Sequence, residues 1–174
     1  MQDYRRLNQW TKRNRYPLPL ITELIEHIPG HDWYTTMDVR WGYNNIRIKD
    51  GDQWKAAFKT NRGLYEPMVM FFGLTNSPVT FQTMMDDIFR VKVAEGWLRV
   101  YMDDILIATK GTKEAHFDKV RVVLNKLQSH DLFLKPEKCH FAQKLVHYLG
   151  VVITSHGVEM DAVKLQGILD WPIP

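Results

Sequence analysis

The sequence predicts an α+β fold in which helices pack on one face of an antiparallel sheet. Two observations lead to this prediction: short β-rich runs occur in pairs around turn signals, and these pairs alternate with segments of helical period. Hydrophobic residues make up 45% of the 174 residues and charged residues 25%, which is typical of a packed globular fold. No internal repeat or linker interrupts the order.

The first half of the chain predicts one helix followed by several strands. Apolar residues recur at helical spacing over 21–28 and stop at a Pro-Gly pair, which predicts a short amphipathic helix. Residues 33–39 form a β-rich run, and residues 44–48 alternate weakly before a turn signal. Residues 55–60 and 64–72 are predicted as two further strands around an Asn-Arg-Gly turn.

The second half predicts a long helix, a hairpin and three more elements. Asn76-Ser77-Pro78 places a capping side chain before a proline suited to the first turn, and apolar residues follow with helical period to Phe89. Residues 97–102 and 105–109 are β-rich on either side of Asp103-Asp104, which predicts a hairpin. The remaining predictions are a helix over 117–127, a strand pair over 146–153 around Gly150, and a last helix over about 161–169.

Positive charge is concentrated at the start of the chain. Residues 1–16 carry five basic residues against one acidic residue, whereas the whole chain has a formal charge of +3. A basic arm beside a near-neutral body suits a surface that follows a phosphate backbone. A solvated face near a terminus has the same composition, and charge alone does not separate the two. The basic residues are Arg5, Arg6, Lys12, Arg13 and Arg15.

Adjacent acids at the tip of an apolar hairpin are the first candidate site. Asp103 and Asp104 follow Val100-Tyr101-Met102 and precede Ile105-Leu106-Ile107. Unpaired carboxylates beside an apolar sheet are costly, so a cation is expected there, and hard oxygen ligands suit Mg²⁺. An ordinary turn is the alternative, because Asp is common in turns.

Asp38, at the end of the β-rich run 33–39, is the second candidate. It can join the acidic pair only if the two strands that carry them are neighbours in the sheet. Carboxylates that converge from adjacent strands can hold two metal ions, the arrangement that catalyses phosphoryl or nucleotidyl transfer. A single aspartate after a strand does not by itself indicate a metal site.

Several other classes are disfavoured. Cys139 is the only cysteine, so no intramolecular disulfide can form and the chain suits a reducing compartment. No signal peptide and no 18-residue apolar run are found, so we expect an intracellular protein that does not enter a membrane. A zinc module built on Cys139, His140 and His147 is weak, because only one thiol exists.

Seven motifs in order give a resemblance that spans essentially the whole chain. They resemble the consecutive blocks of reverse transcriptases of gypsy-type LTR retrotransposons. The motifs are DYRRLN (3–8), RYPLP (15–19), MDVRWGY (37–43), MFFGLTNSPVTFQ (70–82), YMDDILI (101–107), LKPEKCHF (134–141) and YLG (148–150).

The resemblance implies a fragment of a right-hand polymerase: a palm with an antiparallel sheet backed by helices, plus partial fingers. It places fingers and the fingers/palm junction at about 1–32 and 50–82, palm at 33–49 and 83–155, and the start of the thumb at 156–174. The implied activity is RNA-directed DNA polymerisation, the addition of dNTPs to a primer 3′-hydroxyl on an RNA or DNA template.

The resemblance also implies the metal site. Asp38 and Asp103 would bind two Mg²⁺ ions, for which Mn²⁺ can substitute. Asp104 would be the supporting third acid, and the main-chain carbonyl of Val39 a further ligand.

Contacts with the incoming dNTP are implied for Tyr43, Phe72 and Gly73. Tyr43 resembles the steric gate that excludes a 2′-hydroxyl, although simple core packing is its alternative. Gly73 would allow close approach of the backbone to a nucleotide, and Phe72 would pack against it.

Contacts with template-primer are implied for two strand ends and the basic arm. Lys138 is a candidate general acid for the pyrophosphate leaving group, and a surface lysine near a turn is its alternative. The implied template-primer residues are Arg5, Tyr101, Met102, Tyr148, Leu149 and Gly150.

Departures from the family pattern qualify these expectations. Phe71 stands where a proline is more usual, and Trp41, Asn44 and Asn45 also differ, but no metal ligand is lost. The family's fingers hairpin, most of its thumb and its RNase H are expected to lie in other Pol segments. We therefore expect the chain alone to bind template-primer weakly and to polymerise poorly. A catalytically weak or inactive nucleic-acid-binding module is the alternative, and the expected location is a cytoplasmic virus-like particle or the nucleus.

Overall fold

The chain divides into two compact units. The structure, a computed structural model, describes residues 2–26 and 28–160. The first unit takes the residues up to Leu18 together with Trp41–Asp87, and the second takes Pro19–Arg40 together with the residues from Ile88 onward.

These units do not coincide with the predicted fingers and palm bounds. Residues 19–32, predicted as fingers, belong to the second unit, and residues 41–49, predicted as palm, belong to the first. The assignment of fingers, palm and thumb stays a prediction. The predicted last helix over 161–169 lies outside the described residues.

The first unit is built from short elements and one long helix. Helix α1 was not predicted, because residues 1–16 were interpreted only as a basic arm. The elements are α1 (Arg5–Trp10), 3-10 turns at Gly42–Asn45 and Gln53–Ala56, strands β2 (Phe58–Thr60) and β3 (Gly63–Tyr65), and the larger part of helix α3 (Ser77–Ala94).

Three strand predictions in this unit were wrong in extent, and the one over 55–60 begins in the 3-10 turn Gln53–Ala56 and becomes a strand only at Phe58. Residues 44–48 begin in a 3-10 turn, where the side-chain amide of Asn45 donates to the Gly42 carbonyl at 3.0 Å. Such local side-chain hydrogen bonds compete with strand pairing. The strand predicted over 64–72 ends at Tyr65, and Pro67 soon follows, which has no N–H to give to a ladder.

The second unit contains the main sheet. Its strands lie in the order β4-β5-β1-β6, and each neighbouring pair is antiparallel. A separate three-stranded sheet has the order β7-β8-β9. The elements are α2 (Ile21–Glu26), β1 (Trp33–Asp38), β4 (Leu98–Tyr101), β5 (Asp104–Thr109), α4 (Lys113–Gln128), a 3-10 turn (Pro136–Lys138), β6 (His140–Gln143), β7 (Leu145–Tyr148), β8 (Val151–Thr154) and β9 (Val158–Met160).

Strands β1 and β5 are buried along almost their whole length, and they anchor the core of this unit. The Tyr34 hydroxyl donates to the Thr154 carbonyl at 3.1 Å and so ties β1 to the three-stranded sheet. One hydrophobic cluster contains buried residues from both sheets of this unit. Its members are Ile28, Tyr34, Leu106, Ala108, Val146, Tyr148 and Ile153.

Helix α4 packs against the same two strands through a buried histidine. The two ring nitrogens of His116 lie 2.7 Å from the hydroxyls of Thr35 on β1 and Thr109 on β5. Burial lowers the pKa of His116 to about 4, so the ring is neutral at physiological pH. The Thr112 hydroxyl caps the helix by accepting from the Ala115 N–H at 3.2 Å.

No helix within residues 2–26 and 28–160 combines the length and the hydrophobicity that crossing a bilayer requires.

Candidate active site

The two acidic segments meet at one end of the main sheet. β1 ends at Asp38 and β5 begins at Asp104, and these residues are direct partners in the antiparallel register. Just beyond them, the Val39 N–H donates to the Asp103 carbonyl at 2.9 Å. The predicted neighbourhood of residues far apart in the sequence is therefore confirmed, and strand register fixes it.

The turn between β4 and β5 holds one acid of the pair, Asp103, in a strained loop. Tyr101 pairs with Asp104, so only Met102 and Asp103 form the loop. Met102 has a φ of 51°, a conformation that L residues other than glycine seldom adopt. Residues held at such a φ are common in functional loops, and here the turn places Asp103 at the tip of the hairpin.

Lysines occupy both oxygens of the Asp38 carboxylate. The Lys135 ammonium contacts Oδ1, and the Lys138 ammonium lies 3.2 Å from Oδ2. The Asp38 residue is only 8% exposed. The hydrogen bond to Asp38 raises the pKa of Lys138, which keeps that amine protonated, as a general acid requires.

Asp104, unlike Asp38, forms no ion pair among the described residues, and its charged form is disfavoured. Burial, and then the charges of Asp103 and Asp38, raise the pKa of Asp104 to about 6, against the opposing effect of the two lysines. The end of the sheet is thus short of positive charge even with both amines present.

This donor set fits a hard divalent cation that also binds substrate phosphates. Carboxylate and carbonyl oxygens from Asp38, Asp103 and Val39 are the donors that Mg²⁺ prefers, and Mg²⁺ needs only one or two protein carboxylates when phosphates complete its shell. Among the described residues, no group of three or more His, Cys, Asp or Glu side chains is placed to hold a metal ion, and this includes the set Asp38, Asp103 and Asp104. That finding lends no support to a zinc site at Cys139.

A cleft of about 340 Å³ opens beside the carboxylates. Asp38 and Asp104 line it, together with Thr36 and Tyr148, whose buried hydroxyls have no hydrogen-bond partner among the described residues. Buried hydroxyls without partners usually meet a water or ligand, so this cleft suits polar contents.

The predicted primer-contacting segment forms the turn between β7 and β8. Leu149 and Gly150 are its two loop residues, with φ of 47° and 86°, as in the type I′ hairpins that favour glycine. Tyr148 is 4% exposed, so it can contact a primer only through its backbone. Burial raises the pKa of its hydroxyl, and the Asp104 charge adds to that effect.

The residues predicted to contact the dNTP lie in the first unit. Tyr43 packs on Phe72 with ring centroids 4.7 Å apart and on Phe81 at 6.0 Å, so it makes packing contacts whatever else it does. Phe72 is 79% exposed and free to contact a ligand. Gly73 has a φ of 109°, which explains the glycine.

Arg5, the predicted template contact in the basic arm, forms an exposed ion pair. Its guanidinium lies 2.6 Å from the Asp3 carboxylate. That hydrogen bond lowers the pKa of Asp3 to about 2. Any contact of Arg5 with a phosphate would have to share or replace this pair.

Two residues with clear structural roles were missed in the sequence. Lys135 contacts Asp38 although only Lys138 was singled out, and the Lys-x-x-Lys spacing within LKPEKC was the available signal. Asn8 accepts from the Thr75 N–H at 2.9 Å and donates to the Gly73 carbonyl at 2.7 Å, so it holds the loop that carries Phe72. Nothing in the local pattern indicated that role.

Comparisons with known proteins agree with these features. The family model described as reverse transcriptase (RNA-dependent DNA polymerase) matches residues 1–153. The chain is 36% identical over 172 residues to the retrovirus-related Pol polyprotein from transposon 297 of Drosophila melanogaster, and 37% identical over 172 residues to the transposon Tf2-3 polyprotein of Schizosaccharomyces pombe. Each match covers 99% of this chain but only 16% and 13% of those polyproteins.

Solved structures show the same fold at lower identity. A foamy viral protease-reverse transcriptase in complex with RNA/DNA hybrid matches with a TM-score of 0.88 and 22% identity, over 99% of this chain and 23% of that one. Another structure of that protein, in complex with double-stranded DNA, matches with a TM-score of 0.91 and 22% identity, over 99% of this chain and 30% of that one. At this identity the likeness establishes the α+β fold.

Proposed function

The chain belongs to the reverse transcriptase (RNA-dependent DNA polymerase) family, and on that basis we propose that it supplies the catalytic centre of an RNA-directed DNA polymerase. The observation that carries the proposal is the pairing of Asp38 with Asp104 at the end of the main sheet, beside the Met102-Asp103 turn. The proposed reaction is nucleotidyl transfer: the primer 3′-hydroxyl attacks the α-phosphate of a dNTP, and pyrophosphate leaves.

Asp38, Asp103 and the carbonyl of Val39 would hold two Mg²⁺ ions, for which Mn²⁺ can substitute. Bound there, such ions stabilise the attacking and the leaving oxygens of phosphoryl transfer. Asp104 would add negative charge that favours their binding. The support is the donor chemistry of these oxygens and the shortage of positive charge around Asp104.

Tyr43, Phe72 and Gly73 are proposed to contact the incoming dNTP. The exposed ring of Phe72 offers an apolar face for the nucleotide, and the ring of Tyr43 packs against it. Gly73 presents backbone without a side chain, which permits close approach. In this proposal Tyr43 would select against a ribose 2′-hydroxyl by occupying its space.

Template-primer is the proposed macromolecular ligand. The support from relatives is that two solved foamy viral structures hold RNA/DNA hybrid and double-stranded DNA. In this chain the proposed contacts are Arg5 on the template side, Tyr101 and Met102 at the hairpin, and the backbone of Tyr148-Leu149-Gly150 on the primer side. Lys138 is proposed to protonate the leaving pyrophosphate.

The remaining Pol segments are proposed as partners in the same polypeptide. The chain spans 16% of the transposon 297 polyprotein, so fingers, thumb and RNase H segments would complete the enzyme. Action inside a cytoplasmic virus-like particle or in the nucleus is proposed with them. The alternative of an inactive binding module is not favoured, because all three carboxylates are retained.

Primer extension tests the proposal in the longer Pol protein that carries this chain. With oligo(dT)-primed poly(rA), Asp103→Asn should lower the rate by about a thousandfold, because a metal ligand is lost, while template-primer binding measured by fluorescence anisotropy is kept. Asp118→Asn is the matched control, since its side chain is 71% exposed on α4. Retention of near-normal extension by Asp103→Asn would contradict the proposal.

A further inference from the structure

Lys135 and Lys138 engage the two carboxylate oxygens of Asp38 that a metal ion would use. We infer that these lysines form an internal counter-ion that a divalent cation must displace from Asp38. This inference rests on the proposed function and adds a pair of positioning residues that set the metal affinity of the same site.

Lys135 is attached to Asp38 through both its backbone and its side chain. Its N–H donates to the Asp38 carbonyl at 2.9 Å, while its ammonium contacts the Asp38 carboxylate. The neighbouring Arg40 N–H donates to the Phe133 carbonyl at 2.7 Å, and the Cys139 thiol lies 3.2 Å from the Lys135 carbonyl. The amine is therefore delivered to Asp38 by a fixed segment, 133–139, rather than by a mobile surface chain.

The ion pairs with Lys135 and Lys138 compensate the negative charge of the buried Asp38 carboxylate. Asp38 is 8% exposed, and a buried carboxylate without a partner is strongly destabilising. The two amines supply the missing positive charge. A bound divalent cation would supply that charge instead, so the lysines and the metal ion compete for the same oxygens.

Both amines can leave without being trapped in the protein. The side chain of Lys138 is 59% exposed and that of Lys135 27% exposed, so each can turn towards water when it loses Asp38. The free-energy cost of that change is small, because the lysine stem is flexible and water solvates the ammonium strongly. Displacement of the two amines by a metal ion therefore has a small free-energy cost.

The lysines form direct ion pairs with only one of the three carboxylates, Asp38, although their charge also reaches Asp104. Within residues 2–26 and 28–160, the side chains of Asp103 and Asp104 form no ion pair, whereas Asp38 forms two. A cation can therefore reach the hairpin carboxylates directly, but it must displace an amine to recruit Asp38. Removal of the amines should tighten metal binding, and most of this effect should require Asp38.

Titration with Mn²⁺ alone, followed by the electron paramagnetic resonance signal of the free ion, measures this competition. Lys135→Gln should tighten Mn²⁺ binding by about fivefold and the Lys135→Gln/Lys138→Gln double variant by about tenfold, because opposing charge is removed near the carboxylates. Lys135→Arg keeps the charge and should stay near wild type. Lys110→Gln is the charge-matched control, since Lys110 is exposed and makes no ion pair with any described residue.

Thermal unfolding gives a second readout that separates competition from a simple loss of charge. Without metal, Lys135→Gln should lower the Tm, and saturating Mn²⁺ should raise the Tm by more than in wild type, since the ion replaces the lost amine. Should Lys135→Gln fail to fold, the exposed Lys138→Gln serves in both assays, with an increase in affinity of about twofold.

The Asp38→Asn background distinguishes the failure of this inference from the failure of the proposed function. The lysine substitutions should change Mn²⁺ affinity much less in that background, because only their longer-range effect on the remaining carboxylates is left. Mn²⁺ binding that depends on Asp38 but is unchanged in every lysine variant would overturn the counter-ion inference alone. Absence of Asp38-dependent binding in all variants would overturn the proposed metal site, and this inference with it.

Discussion

The carboxylate end of the main sheet and the loop around Phe72 are held in different ways. Asp38 and Asp104 are positioned by the β1–β5 ladder, on two strands that are buried almost throughout. Phe72 is 79% exposed, and the Asn8 side chain holds its loop. The proposed metal site therefore depends on the packed core of the second unit, whereas the proposed nucleotide contact of Phe72 lies on an exposed loop.

The largest expected difference between the two units is in stability. Leu106→Ala should lower the free energy of unfolding by about 3 kcal/mol, because the residue is fully buried in the core of the second unit. Leu64→Ala in the first unit should change it by less than about 0.5 kcal/mol, because Leu64 is 71% exposed. Urea denaturation measures both, and equal effects would show that burial does not distinguish the two units.

Acid should weaken the second unit through His116. Its pKa in the folded state is about 4, below the ordinary value of about 6.5. The unfolded chain therefore takes up a proton first as pH falls. The stability contributed by the neutral ring is fully present above about pH 6.5 and lost towards pH 4, with about 2 kcal/mol gone by pH 5.

Denaturation curves between pH 7 and pH 4.5 test this prediction against two variants. His116→Gln should remove that part of the pH dependence, and exposed His156→Gln should leave it unchanged. An unaltered slope in His116→Gln would mean that other groups cause the acid sensitivity.

A smaller effect is expected from backbone strain in the loop around Phe72. Gly73→Ala should destabilise the protein by about 1 kcal/mol, because Gly73 has a φ of 109°. Crowding does not contribute, since the nearest atom to the added Cβ would be Tyr4 Cδ2 at 3.8 Å. Gly157→Ala is the control: it has no positive φ and no atom within 4 Å of the new Cβ, and it should be near neutral. Equal Tm values for the two variants would exclude strain at Gly73.

The elements with strong periodicity were predictable from the sequence. The hairpin of β4 and β5 was predicted close to its observed bounds, because alternation is sustained in it. The helices α3 and α4 were predicted from their helical spacing, but α3 continues beyond Phe89 to Ala94 and α4 begins at Lys113 rather than at 117. The buried strand β1 was predicted as well. Strand β1 and the hairpin of β4 and β5 carry all three candidate carboxylates, and α4 packs against β1 and β5.

The bounds of the short elements in the first unit were not predictable, because individual side-chain hydrogen bonds and a proline determine them rather than a repeated apolar pattern. Helix α1 contains no buried residue, so it offers no apolar stripe to recognise. The hydrogen bond from Asn45 and the missing N–H of Pro67 shortened two predicted strands.

The candidate site was only partly predictable. The carboxylates were identified by residue type and by family resemblance, but their meeting depends on the pairing of β1 with β5, which no local pattern specifies. The contact of Lys135 with Asp38 is likewise tertiary, since 97 positions separate the two residues. The sequence therefore identified the acidic residues of the site but not the lysine that pairs with Asp38.

The central claim is that Asp38 and Asp103 share divalent cations at the end of the main sheet. Anomalous diffraction from crystals grown with Mn²⁺, template-primer and a non-hydrolysable dNTP tests it most directly. We predict Mn²⁺ peaks bound by the carboxylates of Asp38 and Asp103 and by the Val39 carbonyl. A complex with ordered nucleotide whose Mn²⁺ peaks lie away from these oxygens would contradict the claim.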